Sequence, residues 1–160
     1  NALHVREISE NMARLLKASG FRTIRLGYET SDADLHQRLD NKVSPGDFDR
    51  AVKNLRTAGF SRQDIGAYIL AGLPGQSLDS VSETIEIVAR SGATPYLAEY
   101  SPIPHSDLWK EAVASSEYNL EEEPLYHNNT LLPCWTGEEK AAFRSLKKRV
   151  AEIRRNYPTP

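Results

Sequence analysis

Arg25, Glu29 and Glu99 each sit in a short run of apolar and β-branched residues, where a charge is costly unless it is paired or bound to something. In "RTIRLGYE", Arg22 to Glu29, side chains of an extended strand alternate. That puts Arg25, Gly27 and Glu29 on one face and Ile24, Leu26 and Tyr28 on the other. The same rule applied to "PYLAEYS", Pro95 to Ser101, sets Leu97, Glu99 and Ser101 against Tyr96, Ala98 and Tyr100. Two chemistries suit an arginine and two glutamates on such faces: a structural ion pair of Arg25 with Glu29 or Glu99, or a polar cavity that takes a ligand. A carboxylate there accepts hydrogen bonds from hydroxyl or ammonium groups, and a guanidinium fork matches a carboxylate. Between these strands, "ILAGLPGQSLDS" runs from Ile69 to Ser80 and breaks at Gly72-Leu73-Pro74-Gly75. Glycine lets backbone approach a ligand closely and proline fixes the turn, so the peptide groups are expected to be held ready for binding; taken alone, such a hinge is an ordinary corner.

Other chemically capable residues point to less. His4, His36 and His127 lack the i, i+4 pairing of a helical metal site and read as loop or surface residues. The single cysteine, Cys134, excludes an internal disulfide and a cysteine metal cage, and its apolar neighbours make it a packing residue. Tyr96 and Tyr100 fall on the outward set and are expected against helices. "NLEEEP" reads as a solvated acidic loop.

The elements that must position these residues follow from periodicity. Val5, Ile8, Met12, Leu15 and Leu16 recur at helical spacing up to Gly20. "SPGD", Ser44 to Asp47, offers a capping serine, a proline at the first helical position and an acid, ahead of a helix that carries Phe48, Val52 and Leu55 and ends at Gly59. A strand over Ile65 to Ala71 precedes a helix capped by Ser77, bearing Leu78, Val81, Ile85 and Val88 and closed by Gly92. Beyond Ser101 come a short helix near Ser106 to Val113, a proline-bearing loop, and a last helix from Thr136 to about Asn156 with Phe143, Leu146, Val150 and Ile153 on one stripe. Strands alternating with helices over short links predict an α/β fold of parallel strands with right-handed crossovers. Glu29, Gly72 and Ser101 then all fall at carboxyl ends, where such folds seat ligands.

At 160 residues the chain suits one compact domain. Its 20 basic and 22 acidic residues nearly cancel, to a net charge of −2, so no long-range field draws it to nucleic acid or an anionic membrane. No apolar run approaches the roughly 20 residues that span a bilayer, and a cytoplasmic protein is expected. The chain opens at Asn1 without a methionine and reads as a piece of something longer.

Three strand ends, "IRLGYETSD", "YILAGLPGQSLDSVSETI" and "AEYSPIPHSDLW", in this order and spacing resemble the second half of the core of radical S-adenosylmethionine (SAM) enzymes. The likeness runs from about Asn1 to Trp109, and "PLYHNNTLLP" resembles a segment found in members associated with a cobalamin-binding domain. The resemblance implies a partial (β/α) barrel, here about three parallel βα units plus a carboxyl-terminal helix. Residues 1–113 form the barrel part, and 114–160 a loop and tail helix packing on the same domain. It further implies that Glu29 with Thr30 or Ser31 contacts the ribose and amino-acid part of SAM. Ala71, Gly72, Pro74 and Gly75 line the adenine side, and Tyr100, Ser101, Pro102 and Ile103 offer backbone groups to the adenine, with Arg25 a further candidate for the cofactor carboxylate. The family reduces the sulfonium of SAM at a [4Fe–4S] cluster held by three closely spaced cysteines. This chain has no such triplet, so it is expected to be inert by itself. His105 also departs from the glycine common at its place in the family.

Two other classes stay open on the residues: a glycoside hydrolase-like barrel with Glu29 and Glu99 as acid and nucleophile about 5–10 Å apart, and a binding module that has lost the reaction. Parallel strands cut from a barrel also have bare edges, so either self-association or an edge covered by the tail helix is expected.

Overall fold

A computed structural model describes residues 2–39 and 46–156. Its centre is a parallel sheet in the order β1 (Leu3–His4), β2 (Ile24–Glu29), β3 (Ile65–Ala71) and β4 (Thr94–Glu99). Between the strands lie α1 (Glu10–Ala18), α2 (Ala33–Leu39), α3 (Asp47–Thr57) and α4 (Leu78–Arg90); α5 (Trp109–Ser115) and α6 (Gly137–Arg155) follow β4. This is the α/β, partial-barrel arrangement expected, with one strand more than the sequence suggested.

The parallel register decides which side chains share a face. Leu26, Ala67 and Pro95 lie side by side, as do Ile69 with Leu97 and Ala71 with Glu99. This face meets the helices: Leu26, Ala67, Ile69 and Ala71 are fully buried, with Val52 and Leu55 of α3 and Val81, Ile85 and Val88 of α4 in the same apolar cluster. The other face carries Arg25 beside Gly66 and Thr94, and Gly27 beside Tyr68 and Tyr96.

The face assignments made from sequence therefore need correcting. Tyr96 is on Arg25's side of the sheet, whereas Glu99 is on the helix-covered side and forms an ion pair with Lys147 of α6. Arg25 pairs with neither glutamate; it donates to the Tyr96 hydroxyl at 3.1 Å and to the Ile24 carbonyl at 3.1 Å, with its guanidinium 4.4 Å from the Tyr96 ring centre. Glu29 also leaves the expected alternation. The ladder slips between Gly27 and Glu29, so Tyr28 is the extra residue of a bulge; its ring stacks on Phe48 of α3 at 4.3 Å, and Glu29 takes a left-handed φ of 69°.

Local signals set most helix ends. The Ser77 hydroxyl accepts from the Ser80 amide at 3.1 Å, starting α4 where expected. Thr136 and Glu139 close a reciprocal capping box at the start of α6. Elsewhere the expectations shift. Val5–Glu7 forms a 3₁₀ turn rather than α-helix, α1 begins after the Ser9 cap, and its buried stripe is Ala13 and Leu16, with Met12 and Leu15 exposed. Ser44 and Pro45 lie outside the described residues, and α3 is entered from Gly46 in a left-handed conformation with no side-chain cap. β4 begins one residue earlier than expected, α5 begins at Trp109 rather than near Ser106, and α2 was not foreseen.

The tail packs on the same core. Leu132, Trp135, Phe143 and Val150 join the main apolar cluster, and burial of each large side chain contributes about 1.5–3 kcal/mol. A smaller cluster of Ala112, Leu120 and Cys134, ringed by Tyr100, Trp109 and Tyr126, anchors the loop between α5 and α6, while Glu121 and Glu122 stay in solvent.

Gly66 is required by the open face. A Cβ there would lie 2.7 Å from the Tyr96 ring and 2.8 Å from Cδ of Arg25. Gly66→Ala should therefore separate that pair and lower the urea unfolding midpoint, by about 1–3 kcal/mol of stability.

Candidate functional site

The carboxyl ends of β2, β3 and β4 carry the polar residues singled out from sequence. At the end of β2 the chain turns sharply. The Thr30 hydroxyl is buried and accepts from the Asp32 amide at 3.1 Å. Ser31 is tied to α4: its amide donates to Thr84 Oγ1 at 3.0 Å and its hydroxyl lies 2.9 Å from the same atom. Asp32 receives the Asp34 and Leu35 amides on one oxygen, fixing the start of α2, and the Ser80 hydroxyl at 3.4 Å on the other. Thr30 and Ser31 thus hold the loop, and the Glu29 carboxylate has no hydrogen-bond or ion-pair partner among the described residues.

The hinge after β3 is closed from within by Gln76, which the sequence reading missed. Its Oε1 accepts the Gly72 and Leu73 amides at 3.0 and 3.2 Å, and its Nε2 donates to the Leu70 carbonyl at 2.9 Å. Trp135 Nε1 donates to the Gln76 carbonyl at 3.1 Å and so pins the tail to the hinge. The expectation that the hinge amides stand ready for a ligand is corrected here for Gly72 and Leu73, since both are already satisfied. The φ of 96° at Gly72 suits glycine, and a Cβ there would come within 2.8 Å of Leu132. Ala71, Gly72, Leu73 and Pro74 are buried and only Gly75 of the hinge is exposed. Arg38 of α2 reaches the Pro74 carbonyl at 3.4 Å and pairs with Glu111 of α5 across the rim.

Beyond β4, the Tyr100 amide donates to the Ala71 carbonyl at 2.8 Å and carries the sheet pattern one residue further. The Tyr100 hydroxyl is buried with no hydrogen-bond partner among the described residues. Burial pushes its phenol up to about 12, with Cys134 and Glu111 adding to the rise. Burial likewise pushes the Cys134 thiol up. Ser101 donates to the His127 carbonyl, and the His127 ring is spent on the Leu120 carbonyl at 2.7 Å. Pro102 is buried, whereas Ser101 and Ile103 are exposed. His105 is exposed with a left-handed φ of 66°, a conformation natural to glycine and unfavourable by roughly 1–2 kcal/mol for other residues.

Arg25, the second residue of β2, lies well below these ends and is engaged by Tyr96. Glu99 is turned to α6, and β3 lies between it and Glu29, so the two carboxylates do not form an acid and nucleophile pair.

A sequence model of the Radical SAM superfamily matches residues 1–88, more than half of the 160-residue chain. The chain belongs to the radical SAM superfamily. Among solved structures it is similar to coproporphyrinogen III oxidase (HemN) from Escherichia coli, described as a radical SAM enzyme. The TM-score is 0.66 at 14% identity, covering 95% of this chain and 31% of that one. At that identity the likeness supports the fold, and this chain spans under a third of the oxidase. No curated protein sequence matches it. Radical SAM family membership removes the glycoside hydrolase alternative.

Family members use SAM and a [4Fe–4S] cluster, and the residues present here do not fit the cluster. The chain has one cysteine, that cysteine is buried with its thiol form favoured, and no three His, Cys, Asp or Glu side chains gather around a metal position among the described residues. No described helix is long and apolar enough to cross a membrane.

Gln76→Ala strips three buried backbone groups of their partner, each costing about 1–3 kcal/mol when unsatisfied. Urea denaturation should show the largest loss of stability among single polar substitutions at this end of the sheet.

Tyr100 links the same region to pH. Its phenol is raised in the folded state above the ordinary value of 10.0, so its contribution is intact below pH 10 and is lost as pH climbs towards about 12. Tyr100→Phe should match or exceed the parent in stability at pH 8, because it removes an unpartnered hydroxyl. It should also fall less steeply between pH 10 and 12, as read from thermal unfolding midpoints.

Proposed function

We propose that this chain forms the later strands of a radical SAM core, with the strand ends around Glu29, Gly72 and Ser101 as one wall of the SAM site. The observation that carries the reading is Glu29, a carboxylate with no partner among the described residues, held beside a bulge in a left-handed conformation at the strand end where parallel α/β folds bind ligands. Backbone strain at such a residue persists where surrounding structure enforces it and is often found at ligand sites. Thr30 and Ser31 fix the loop that presents Glu29 to the ribose hydroxyls or the ammonium group of SAM. The exposed backbone at Gly75, Ser101 and Ile103 faces the adenine, while buried Ala71, Gly72, Pro74 and Pro102 and half-buried Tyr100 shape the wall behind. Arg25 is left out of this set because Tyr96 engages it near the other end of the sheet.

The three cysteines of the cluster come, on this reading, from outside these 160 residues, and the chain alone is inert. A cobalamin association would belong to the longer protein, since the strap that suggested it spends His127 on Leu120 and Leu132 on Gly72.

A longer chain carrying the cysteines, reconstituted anaerobically with iron and sulfide, should cleave SAM reductively, while these 160 residues alone take up no stoichiometric cluster. In the longer chain Glu29→Gln should weaken SAM binding about tenfold, the effect of losing one charge-assisted hydrogen bond. Unchanged affinity would remove Glu29 from the site, and failure to take up iron or cleave SAM would remove the enzyme reading altogether.

A further inference from the structure

A cationic hollow lies at the opposite end of the sheet. A groove of about 570 Å³ opens between the amino end of β4 and the last turns of α6, floored by Gln63, Thr94 and Tyr96. Its α6 wall carries Lys148, Arg154 and Arg155, opposed by one acid, Glu152. Thr94 opens β4, and at about 3.3 Å per residue the groove begins some 16 Å from Glu99 and the candidate SAM wall.

Two features mark this groove as more than a solvated helix face. The Arg154 guanidinium lies 4.3 Å and that of Arg25 4.4 Å from the same Tyr96 ring centre, so two like charges share one aromatic platform. Neither they nor Lys148 and Arg155 have a carboxylate partner among the described residues, although Lys147 and Arg149 on the same helix are paired with Glu99 and Glu86. On α6, Lys147 and Arg149 are thus neutralised, and the cations that line the groove are not. Gathering like charges is unfavourable, and a counter-anion reverses the sign of that interaction. Guanidinium forks match the oxygens of phosphate and carboxylate groups, and the volume is that of a small-molecule pocket. The near-neutral total charge of the chain excludes long-range steering of anions but says nothing about a local cluster of this kind.

We propose that this groove is a second binding site, specific for a small anion bearing two or more acidic groups, such as a pyrophosphate or a polycarboxylate, and held by Lys148, Arg154 and Arg155 over the Tyr96 platform. Arg25 sets the ring from below and positions it rather than contacting the ligand. The site is independent of the SAM reading, because it shares no residue with the strand ends.

Isothermal titration calorimetry of the chain at low ionic strength, with pyrophosphate and separately with citrate, tests the assignment and tells phosphate from carboxylate chemistry. One saturable site is expected for at least one of them, weakening as salt is added. The double variant R154A/R155A should bind about tenfold or more weakly, given the strength of charged hydrogen bonds. The control R14A/K53A, which removes two cations from α1 and α3, should bind as the parent does. Tyr96→Leu should also weaken binding, and circular dichroism identifies any loss of fold in that variant; the α6 double variant, altered only at exposed positions, decides the case if it misfolds. No saturable heat, equal weakening in both double variants, or binding of a single-stranded oligonucleotide without either small anion would overturn the proposal.

Discussion

The hydrogen bonds made by the Gln76 side chain are the constraint on which this end of the molecule depends. One buried amide group closes the Gly72-Leu73-Pro74-Gly75 turn on itself, accepting two main-chain amides and donating to the Leu70 carbonyl. The Gln76 carbonyl takes the Trp135 indole, so the turn becomes the place where the tail attaches. Leu132 can then rest on Gly72, and Trp135 can lie against Phe143 with ring centres 5.2 Å apart. The hinge is a corner made rigid from inside, and rigidity of this kind lets a neighbouring residue such as Glu29 remain in an unfavourable backbone conformation.

The two ends of the sheet have been given different surroundings by the same tail. Near the carboxyl ends, the segment through His127 and Leu132 reaches Ser101 and Gly72, and the Tyr100 hydroxyl is buried there, while Gly75, Ser101 and Ile103 stay exposed. Towards the amino ends, α6 passes beside β4 with its cations over the Tyr96 ring. The charged residues of α6 divide accordingly. Lys147 and Arg149 serve packing by pairing with Glu99 and Glu86, and the next residues along the groove do not.

How much of this was legible in the sequence depends on the range of the interaction. β3 and α4 could be read from residues 65–92 because an apolar run, a capping serine and a terminal glycine are all local. The carboxyl-end placement of Glu29, Gly72 and Ser101 followed from the alternation of strands and helices. The face of Glu99 did not, because only pairing through β3 reveals which side of β4 matches which side of β2, and the bulge at Tyr28 separately takes Glu29 out of phase with Arg25. β1 has two residues and therefore no period to detect. Gln76 was overlooked because a glutamine after a turn looks like a surface residue; its three partners lie within six residues, yet only its burial makes them compulsory.

The place of β1 at one margin of the described sheet has a consequence for association. On the β4 side, α6 reaches Glu99 through Lys147 and the Tyr96 ring through Arg154, and the other margin of the described sheet is β1, with Leu3 and His4 paired to Leu26 and Gly27. An edge of unpaired backbone N–H and C=O groups is a template for a further strand. A strand laid along it would continue the order β1-β2-β3-β4 and extend the sheet on the side away from α6.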